Sequence, residues 1–193
     1  MLNRLRRAVE PLINRLGFAA ARTRLPATAW TAIGLIFATL SALSYSHLLF
    51  GDGLYGGLLL LISGLVDMVD GAVARATNSA SHRGAFLDST LDRVGEVFVF
   101  RGILAGGVGD SRVVLLALSF SLLVSYTRAR GEALRVEVSG IGVGERAERI
   151  LVLGVLSIAG YTYYGVIVVL ILALITFIHR LVAIAKTLSK QSQ

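Results

Sequence analysis

The apolar residues of this chain are grouped into six long stretches separated by short polar segments. Several stretches approach the ~20 residues that an α-helix needs to cross a bilayer. The pattern therefore predicts an all-α integral membrane protein with six transmembrane helices. The fourth and fifth stretches are short, so we expect their helices to extend into the polar flanks. The six stretches are Thr28–Phe50, Leu54–Ala74, Phe86–Gly106, Val113–Thr127, Ile150–Tyr164 and Val166–Ala185.

The N-terminal segment has a different pattern, in which apolar residues recur at helical spacing and arginines occupy the other face. We expect an amphipathic interfacial helix within residues 1–24, lying on the membrane surface. A solvated helix packed on a partner is the alternative. Pro26 separates this segment from a six-helix bundle over residues 28–185, and residues 1–193 are interpreted as one domain. The spaced apolar residues are Leu2, Leu5, Val9, Leu12, Ile13 and Leu16.

Composition agrees with a membrane protein, because 55% of the 193 residues are hydrophobic and the mean hydropathy is +0.74. The absence of cysteine excludes disulfides, thiolate metal sites and a cysteine nucleophile. The formal charge of +7 comes from basic residues between the predicted spans rather than on one soluble face, which argues against nucleic-acid binding.

The basic residues also predict the orientation. They concentrate at the two termini and in two alternate loops, so the positive-inside rule places both termini and these loops in the cytoplasm of a multi-pass protein of the cell membrane. Beyond the N-terminal arginines, the residues concerned are Arg75, Arg83, Arg128, Arg130, Arg135, Arg146, Arg149, Lys186 and Lys190.

Four aspartates break the apolar pattern at the cytoplasmic ends of the second and third spans. Asp67 and Asp70 are spaced i,i+3, and Asp88 and Asp92 are spaced i,i+4, so each pair shares a helix face. The two helices are joined by a short loop, so the pairs are expected to converge on one cavity. Carboxylates near hydrocarbon need a metal, a counter-ion or water.

A cluster of hard oxygen donors favours Mg²⁺, with Mn²⁺ as the alternative. In another interpretation, the aspartates extend singly to the interface or pair with Arg75, Arg83 and Arg93. A small cation transporter would also use intramembrane acids, but these would be spread across the bilayer depth rather than gathered at one side.

The spacing Asp67-x2-Asp70-Gly71-x2-Ala74-Arg75-x8-Gly84-x3-Asp88-x3-Asp92 resembles, at every fixed position, the signature of the CDP-alcohol phosphotransferase family. The resemblance implies transfer of a lipid-phosphate group from a CDP-lipid to an alcohol, with release of CMP. It further implies a homodimer and a two-metal site in which Asp67, Asp70, Asp88 and Asp92 are ligands. Asp92 would also be the general base.

The same resemblance implies that the CDP-lipid is bound by Gly71, Arg75, Ser81 and Gly84. Thr28 and Thr31 correspond to a family stretch, Thr-Pro-Asn/Asp-x-x-Thr, that enters the first span. This chain keeps Thr31 but has no Asn or Asp at the middle position, and its proline is displaced by one residue.

Further arginines indicate the acceptor. Arg180 lies within the otherwise apolar sixth stretch, where it needs an anionic partner, and guanidinium groups suit phosphate oxygens. The acceptor phosphate is therefore predicted to be bound by Arg128, Arg149 and Arg180, with Arg130 and Arg146 as weaker candidates. The other interpretation is that these arginines anchor the helix ends and pair with nearby glutamates.

Two segments around these arginines resemble the branch of the family that uses inositol phosphate. They are Ser125-Tyr-Thr-Arg-Ala-Arg-Gly-Glu-Ala133 and Glu145-Arg-Ala-Glu-Arg149, and an Arg180-Leu181 pair also matches. The resemblance implies 1L-myo-inositol 1-phosphate as acceptor and CDP-diacylglycerol or CDP-archaeol as donor. Glycerol 3-phosphate is the alternative acceptor, since it too is a phosphate monoester.

Overall fold

The computed structural model describes residues 15–49, 53–138 and 140–191, and this part of the chain is helical without strands. The all-α prediction is confirmed. The six long helices, in chain order, are α1 (Ala27–Tyr45), α2 (Gly53–Ala76), α3 (His82–Ala105), α4 (Ser111–Ala133), α5 (Arg146–Ile158) and α6 (Thr162–Gln191).

Polar side chains cap the starts of three helices. Ser81 Oγ accepts the Gly84 amide at 3.1 Å at the start of α3, and Asp110 Oδ1 accepts the Arg112 amide at 2.8 Å before α4. At α5, Glu148 Oε2 accepts the backbone N–H of Glu145 at 2.9 Å. Each cap satisfies an amide that has no partner within its helix.

The six helices form a closed ring in which each packs mainly on two others. Around the ring the order is α1, α2, α5, α6, α4, α3, and α3 returns to α1. Every helix contributes to the central apolar core, which contains Tyr45, Leu60, Phe100, Val114, Leu153 and Val169. The two helices that carry the aspartates, α2 and α3, therefore pack more closely on α1 than on each other.

Glycines permit two of these packings. A Cβ on Gly102 of α3, or on Gly106 directly after it, would collide with the carbonyl oxygen of Ala42 or Tyr45 on α1. A Cβ on Gly57 of α2 would lie 2.6 Å from the carbonyl oxygen of Gly154 on α5. Both pairs of helices thus approach at the distance of backbone contact.

Four of the described helices are long and apolar enough to cross a membrane, namely α1, α2, α4 and α6. Helix α3 is continuous but carries too many charged residues to be counted among them; these are Arg83, Asp88, Asp92, Arg93, Glu96 and Arg101. Helix α5 has only 13 residues. Six full spans therefore remain a prediction, although all six helices contribute to one core.

Two predicted boundaries are wrong. The first stretch was expected to continue to Phe50, but α1 ends at Tyr45. His47 follows in the left-handed conformation, with φ of +61°, which does not continue a helix.

The fifth stretch was expected to continue to Tyr164, but α5 ends at Ile158 and α6 begins at Thr162. Gly160 lies between them in the left-handed conformation, with φ of +82°, and its amide donates to the carbonyl of Ser157 at 3.0 Å. A glycine in this conformation commonly ends a helix. The predicted extension of the fourth stretch is confirmed, because α4 reaches Ser111 and Ala133.

The predicted interfacial helix lies mostly outside the described residues, since the description starts at residue 15. Residues 15–21 are helical. Gly17 packs against Ala72 of α2 so closely that a Cβ there would collide with the alanine side chain. The described end of the N-terminal segment thus contacts α2 two residues after Asp70.

Candidate active site

Three aspartates converge where α2 and α3 face each other. Asp67, Asp70 and Asp88 each contribute a carboxylate oxygen, and these three oxygens lie within 4.8 Å of one another. Asp70 is 5% exposed, and the other two are partly buried. Their helical spacing aims both α2 aspartates at one side, and the position of α3 beside α1 brings Asp88 to them.

Thr31 of α1 fixes the orientation of one carboxylate. Its Oγ1 donates to Asp70 Oδ2 at 2.7 Å in a buried hydrogen bond. The same hydroxyl lies 3.3 Å from the carbonyl oxygen of Ala27. Helix α1 thus contributes to the site although it carries no acidic residue.

Arg146 connects the fourth aspartate, Asp92, to the cluster. Its Nη1 lies 2.9 Å from Asp67 Oδ2 and 2.9 Å from Asp92 Oδ1. Arg93 Nη1 contacts the other oxygen of Asp92 at 3.4 Å, and Arg93 Nη2 donates to Ser125 Oγ at 3.1 Å. Both oxygens of Asp92 therefore face a guanidinium group.

The cluster has the chemistry of a site for a divalent cation. Three carboxylates at this separation repel one another unless a cation lies between them. Asp88 Oδ1 is buried and has no hydrogen-bond partner among the described residues. An all-oxygen donor set suits Mg²⁺ or Mn²⁺.

The arginines expected to bind the acceptor occupy different environments. Arg149 is 2% exposed and donates to the carbonyl of Gly144 at 2.8 Å and to Glu96 Oε1 at 2.9 Å. Arg180 is equally buried and donates to the carbonyls of Ile141 at 2.9 Å and Val124 at 3.0 Å.

A further Arg180 contact reaches Glu145 Oε1 at 3.4 Å, which places Arg180 beside the first turn of α5. Arg128 is exposed and pairs with Glu132 at 2.9 Å, and Arg130 is also exposed. Sequence reasoning ranked Arg146 below Arg149 and Arg180. In the structure, however, Arg146 is the one of the five that directly contacts the aspartates.

The residues predicted to bind the CDP-lipid lie around the same end of α2 and α3. A Cβ on Gly71 would lie 3.4 Å from Arg75 Nη1, and one on Gly84 would lie 3.2 Å from Ser81 Oγ. Thr28 is exposed, whereas Thr31 is buried against Asp70.

Sequence reasoning missed Glu96, which follows Asp92 by one helical turn and pairs with Arg149. It also missed Thr176 of α6, whose hydroxyl accepts the amides of Val143 and Gly144 at 3.2 and 2.9 Å. Glu96 could have been found from the sequence, because it is an acidic residue inside an apolar stretch. No comparable feature of the sequence marks Thr176.

Comparison with known proteins agrees with this site. Residues 24–188 match the model of the family described as CDP-alcohol phosphatidyltransferase. The archaetidylinositol phosphate synthase of Methanothermobacter thermautotrophicus is 38% identical over 188 residues, covering 94% of this chain and 93% of that protein. The enzyme of the same name from Pyrococcus horikoshii is 36% identical, covering 97% and 98%.

Solved structures of the phosphatidylinositol phosphate synthase of Mycobacterium tuberculosis have the same fold. The structure with CDP-DAG bound superposes with a TM-score of 0.76 and 25% identity, covering 90% of this chain and 94% of that chain. The structure in complex with manganese and citrate has a TM-score of 0.77, again with 25% identity, and covers 89% and 88%.

This chain belongs to the CDP-alcohol phosphatidyltransferase family. It is an all-helical membrane protein with a candidate divalent-metal site formed by three aspartates. The resemblance drawn from the aspartate spacing is thereby confirmed at the level of the family.

Proposed function

We propose that this protein transfers a phosphatidyl or archaetidyl group from a CDP-lipid to 1L-myo-inositol 1-phosphate and releases CMP. The observation that supports this most is the contact of Arg146 with Asp67 and Asp92. This contact places a guanidinium group, which is suited to bind phosphate, directly beside the candidate site for a divalent cation. The names of the relatives from Methanothermobacter, Pyrococcus and Mycobacterium point to the same acceptor.

Asp67, Asp70, Asp88 and Asp92 would hold two Mg²⁺ ions, with Mn²⁺ as a substitute. The convergence of three carboxylates and the unpartnered Asp88 oxygen support this assignment. When bound, the metal supplies charge neutralisation for the donor diphosphate. The Mycobacterium relative solved with manganese supports a divalent ion.

Asp92 is proposed to be the general base. The acceptor hydroxyl attacks the phosphorus on the lipid side of the diphosphate and forms a new P–O bond. The P–O bond to the CMP leaving group breaks, and the hydroxyl proton goes to the Asp92 carboxylate. Two arginines already hold that carboxylate in place, which restricts its orientation toward the incoming hydroxyl.

The donor would be held on the α2–α3 side of the site. Arg75 grips a phosphate oxygen, Ser81 donates a hydrogen bond, and Gly71 and Gly84 let the nucleotide approach the backbone closely. Thr31 acts mainly through Asp70, to which its hydroxyl is already bonded, and Thr28 is exposed in the first turn of α1.

The acceptor phosphate would be held on the α5 side by Arg146, Arg149 and Arg180, with Arg128 and Arg130 of α4 nearer the surface. Arg146 contacts the aspartates, and Arg180 and Arg149 flank the same helical turn through Glu145 and Gly144. Guanidinium groups recognise the phosphate but not the rest of the alcohol, so glycerol 3-phosphate is the competing acceptor.

We further propose one domain of six spans, in which the short α5 and the charged α3 cross the cell membrane together with the four apolar helices. An interfacial helix precedes this bundle, and both termini and the site face the cytoplasm. The distribution of basic residues supports this orientation. The protein is proposed to act as a homodimer, as the family resemblance implies.

An acceptor panel tests the proposal. Purified protein would be incubated with labelled CDP-lipid, Mg²⁺ and either 1L-myo-inositol 1-phosphate, unphosphorylated myo-inositol, glycerol 3-phosphate or serine. We expect a labelled product with inositol phosphate alone. A product with glycerol 3-phosphate instead would show that the acceptor is wrong and the chemistry right. No product with any acceptor would contradict the proposal.

A further inference from the structure

Two ion pairs connect α3 and α5. On α3, Glu96 follows Asp92 by four residues, and on α5, Arg149 follows Arg146 by three, so each pair of residues lies on one helix face. Arg146 pairs with Asp92 at 2.9 Å, and Arg149 pairs with Glu96 at 2.9 Å. The first ion pair belongs to the aspartate site, whereas the second lies one turn deeper.

The two helices are not neighbours in the ring. Helix α5 packs on α2 and α6, and α3 packs on α1 and α4. The ion pairs therefore cross the interior of the bundle, and they connect two helices whose backbones hardly meet. The Glu96–Arg149 pair is the more enclosed of the two, with side-chain exposures of 9% and 2%.

Arg149 is held from a second direction as well. Its Nη1 donates to the carbonyl of Gly144 at 2.8 Å, in the loop just before α5. Glu96 and Gly144 thus fix both ends of one guanidinium group. Because an unpaired charge inside a protein is strongly unfavourable, loss of Glu96 would force Arg149 out of this position.

Glu96 itself is not placed to touch a substrate. Its second oxygen and the Nε atoms of Arg146 and Arg149 are buried without a partner among the described residues, and these three side chains line one cavity of about 30 Å³. A carboxylate would repel a phosphate, so any effect of Glu96 on the reaction has to act through the arginines.

We infer that Glu96 is a positioning residue: through its ion pair with Arg149 it holds the first turn of α5, and with it Arg146, against the aspartate site. This inference rests on the proposed function, in which the arginines of α5 bind the acceptor phosphate. It predicts an effect on the acceptor half of the reaction alone, because the donor is held by α2 and the start of α3.

The test is the kinetics of the Glu96→Gln variant with both substrates. Loss of the charged partner should lower kcat/KM for the phosphorylated acceptor about 10- to 100-fold, mainly through KM. The KM for CDP-lipid should change by less than about twofold, since the donor contacts remain. Glu137→Gln, which removes the same charge from an exposed loop position, should behave as the unmodified protein.

Glu96→Asp keeps the charge and shortens the side chain, so it serves if the Gln variant does not fold. It should show a smaller rise in acceptor KM. The double variant Glu96→Gln/Arg149→Lys should be less impaired than the product of the two single effects, because both act through one ion pair.

The outcomes separate the inference from the function on which it rests. If the unmodified protein uses no phosphorylated polyol, the proposed function fails. If the unmodified protein uses a phosphorylated polyol, and both Glu96 variants fold with an unchanged KM for that polyol, the inference is wrong and the proposed function stands. If the variants lose stability and the KM values for the acceptor and for CDP-lipid change equally, Glu96 is purely structural, and the inference is also wrong.

Discussion

Thr31 and Asp70 are 39 positions apart in the chain, yet Thr31 Oγ1 donates to Asp70 Oδ2 at 2.7 Å in the interior of the bundle. This bond connects α1 to the aspartate cluster and engages one oxygen of a carboxylate that is 5% exposed. Such outer partners of a ligand carboxylate set its orientation and its affinity for metal.

Replacement of Thr31 by valine should therefore weaken metal use without removing a ligand. Valine has nearly the same shape but cannot donate the hydrogen bond to Asp70. We expect the Mg²⁺ concentration for half-maximal activity to rise about 10-fold or more. Activity measured across a Mg²⁺ titration gives this value directly.

Two further variants control for the substitution. Thr39→Val removes a hydroxyl from the same helix, where Thr39 Oγ1 bonds only the carbonyl of Leu35 among the described contacts, and should leave the titration unchanged. Thr31→Ser should restore most of the metal affinity. If Thr31→Val titrates like the unmodified protein, the Thr31 hydroxyl does not orient Asp70 for metal binding.

Substitutions of the four aspartates should differ in whether they remove turnover alone or also CDP-lipid binding. Asn at Asp67, Asp70 or Asp88 removes a charged ligand, so turnover should fall by at least about 1,000-fold while the protein stays folded in detergent. Asp92→Asn should also lose turnover but keep CDP-lipid binding, because the main role proposed for Asp92 is to accept the hydroxyl proton. Turnover and equilibrium binding of CDP-lipid would be measured for each variant.

Asp110→Asn is the matched control, since Asp110 caps α4 and asparagine caps a helix equally well. Near-normal activity of Asp70→Asn at ordinary Mg²⁺ would contradict the metal assignment. Loss of both binding and turnover in Asp92→Asn would make Asp92 chiefly a metal ligand rather than the base.

Substitution of the arginines proposed to bind the acceptor should change the kinetics of the acceptor but not those of CDP-lipid. Arg146→Ala, Arg149→Ala and Arg180→Ala should each reduce acceptor kcat/KM about 10- to 100-fold, as expected for loss of a charge-assisted hydrogen bond. Arg180→Lys should recover part of the activity, because one ammonium cannot replace a planar group that donates to two carbonyls.

Arg101→Ala, at an exposed position near the other end of α3, should leave the kinetics with both substrates unchanged. Unchanged acceptor kinetics in folded Arg149→Ala and Arg180→Ala proteins would identify these arginines as purely structural. The buried bonds of Arg180 make a loss of thermal stability expected as well, so stability would be measured beside the kinetics.

Topology can be tested with single cysteines, since the chain has none. Cysteine at position 79 or 137, both exposed in loops, should react with a membrane-impermeant reagent only after the membrane is opened. Cysteine at position 112 should react from outside intact cells. External labelling at position 79 would reverse the orientation and contradict access to the site from the cytoplasm.

Local spacing was enough to predict part of this structure. The i,i+3 and i,i+4 positions of the aspartates place each pair on one helix face, and three of the four meet as expected. The bonds from Thr31 to Asp70 and from Arg149 to Glu96 join residues 39 and 53 positions apart. Such pairs depend on the order of helices around the ring, which hydropathy does not encode.

The boundary between α5 and α6 shows the same limitation. Residues 159–164 are small or aromatic, so the apolar pattern continues through the turn. The chain reverses at Gly160 because glycine adopts positive φ without steric cost, whereas the predicted break at Gly165 falls inside a helix. There Gly165 serves packing, because a Cβ on it would lie 3.2 Å from Leu153 and 3.3 Å from Leu156.

Release of CMP from CDP-lipid by the purified protein tests the proposed function most simply. Four reactions would be compared, with and without Mg²⁺ and with and without 1L-myo-inositol 1-phosphate. Rapid release is expected only when both are present, and Asp70→Asn should show no such release under the same conditions. CMP release that does not depend on Mg²⁺ or on inositol phosphate, or no CMP release in any of the four reactions, would rule out the proposed reaction.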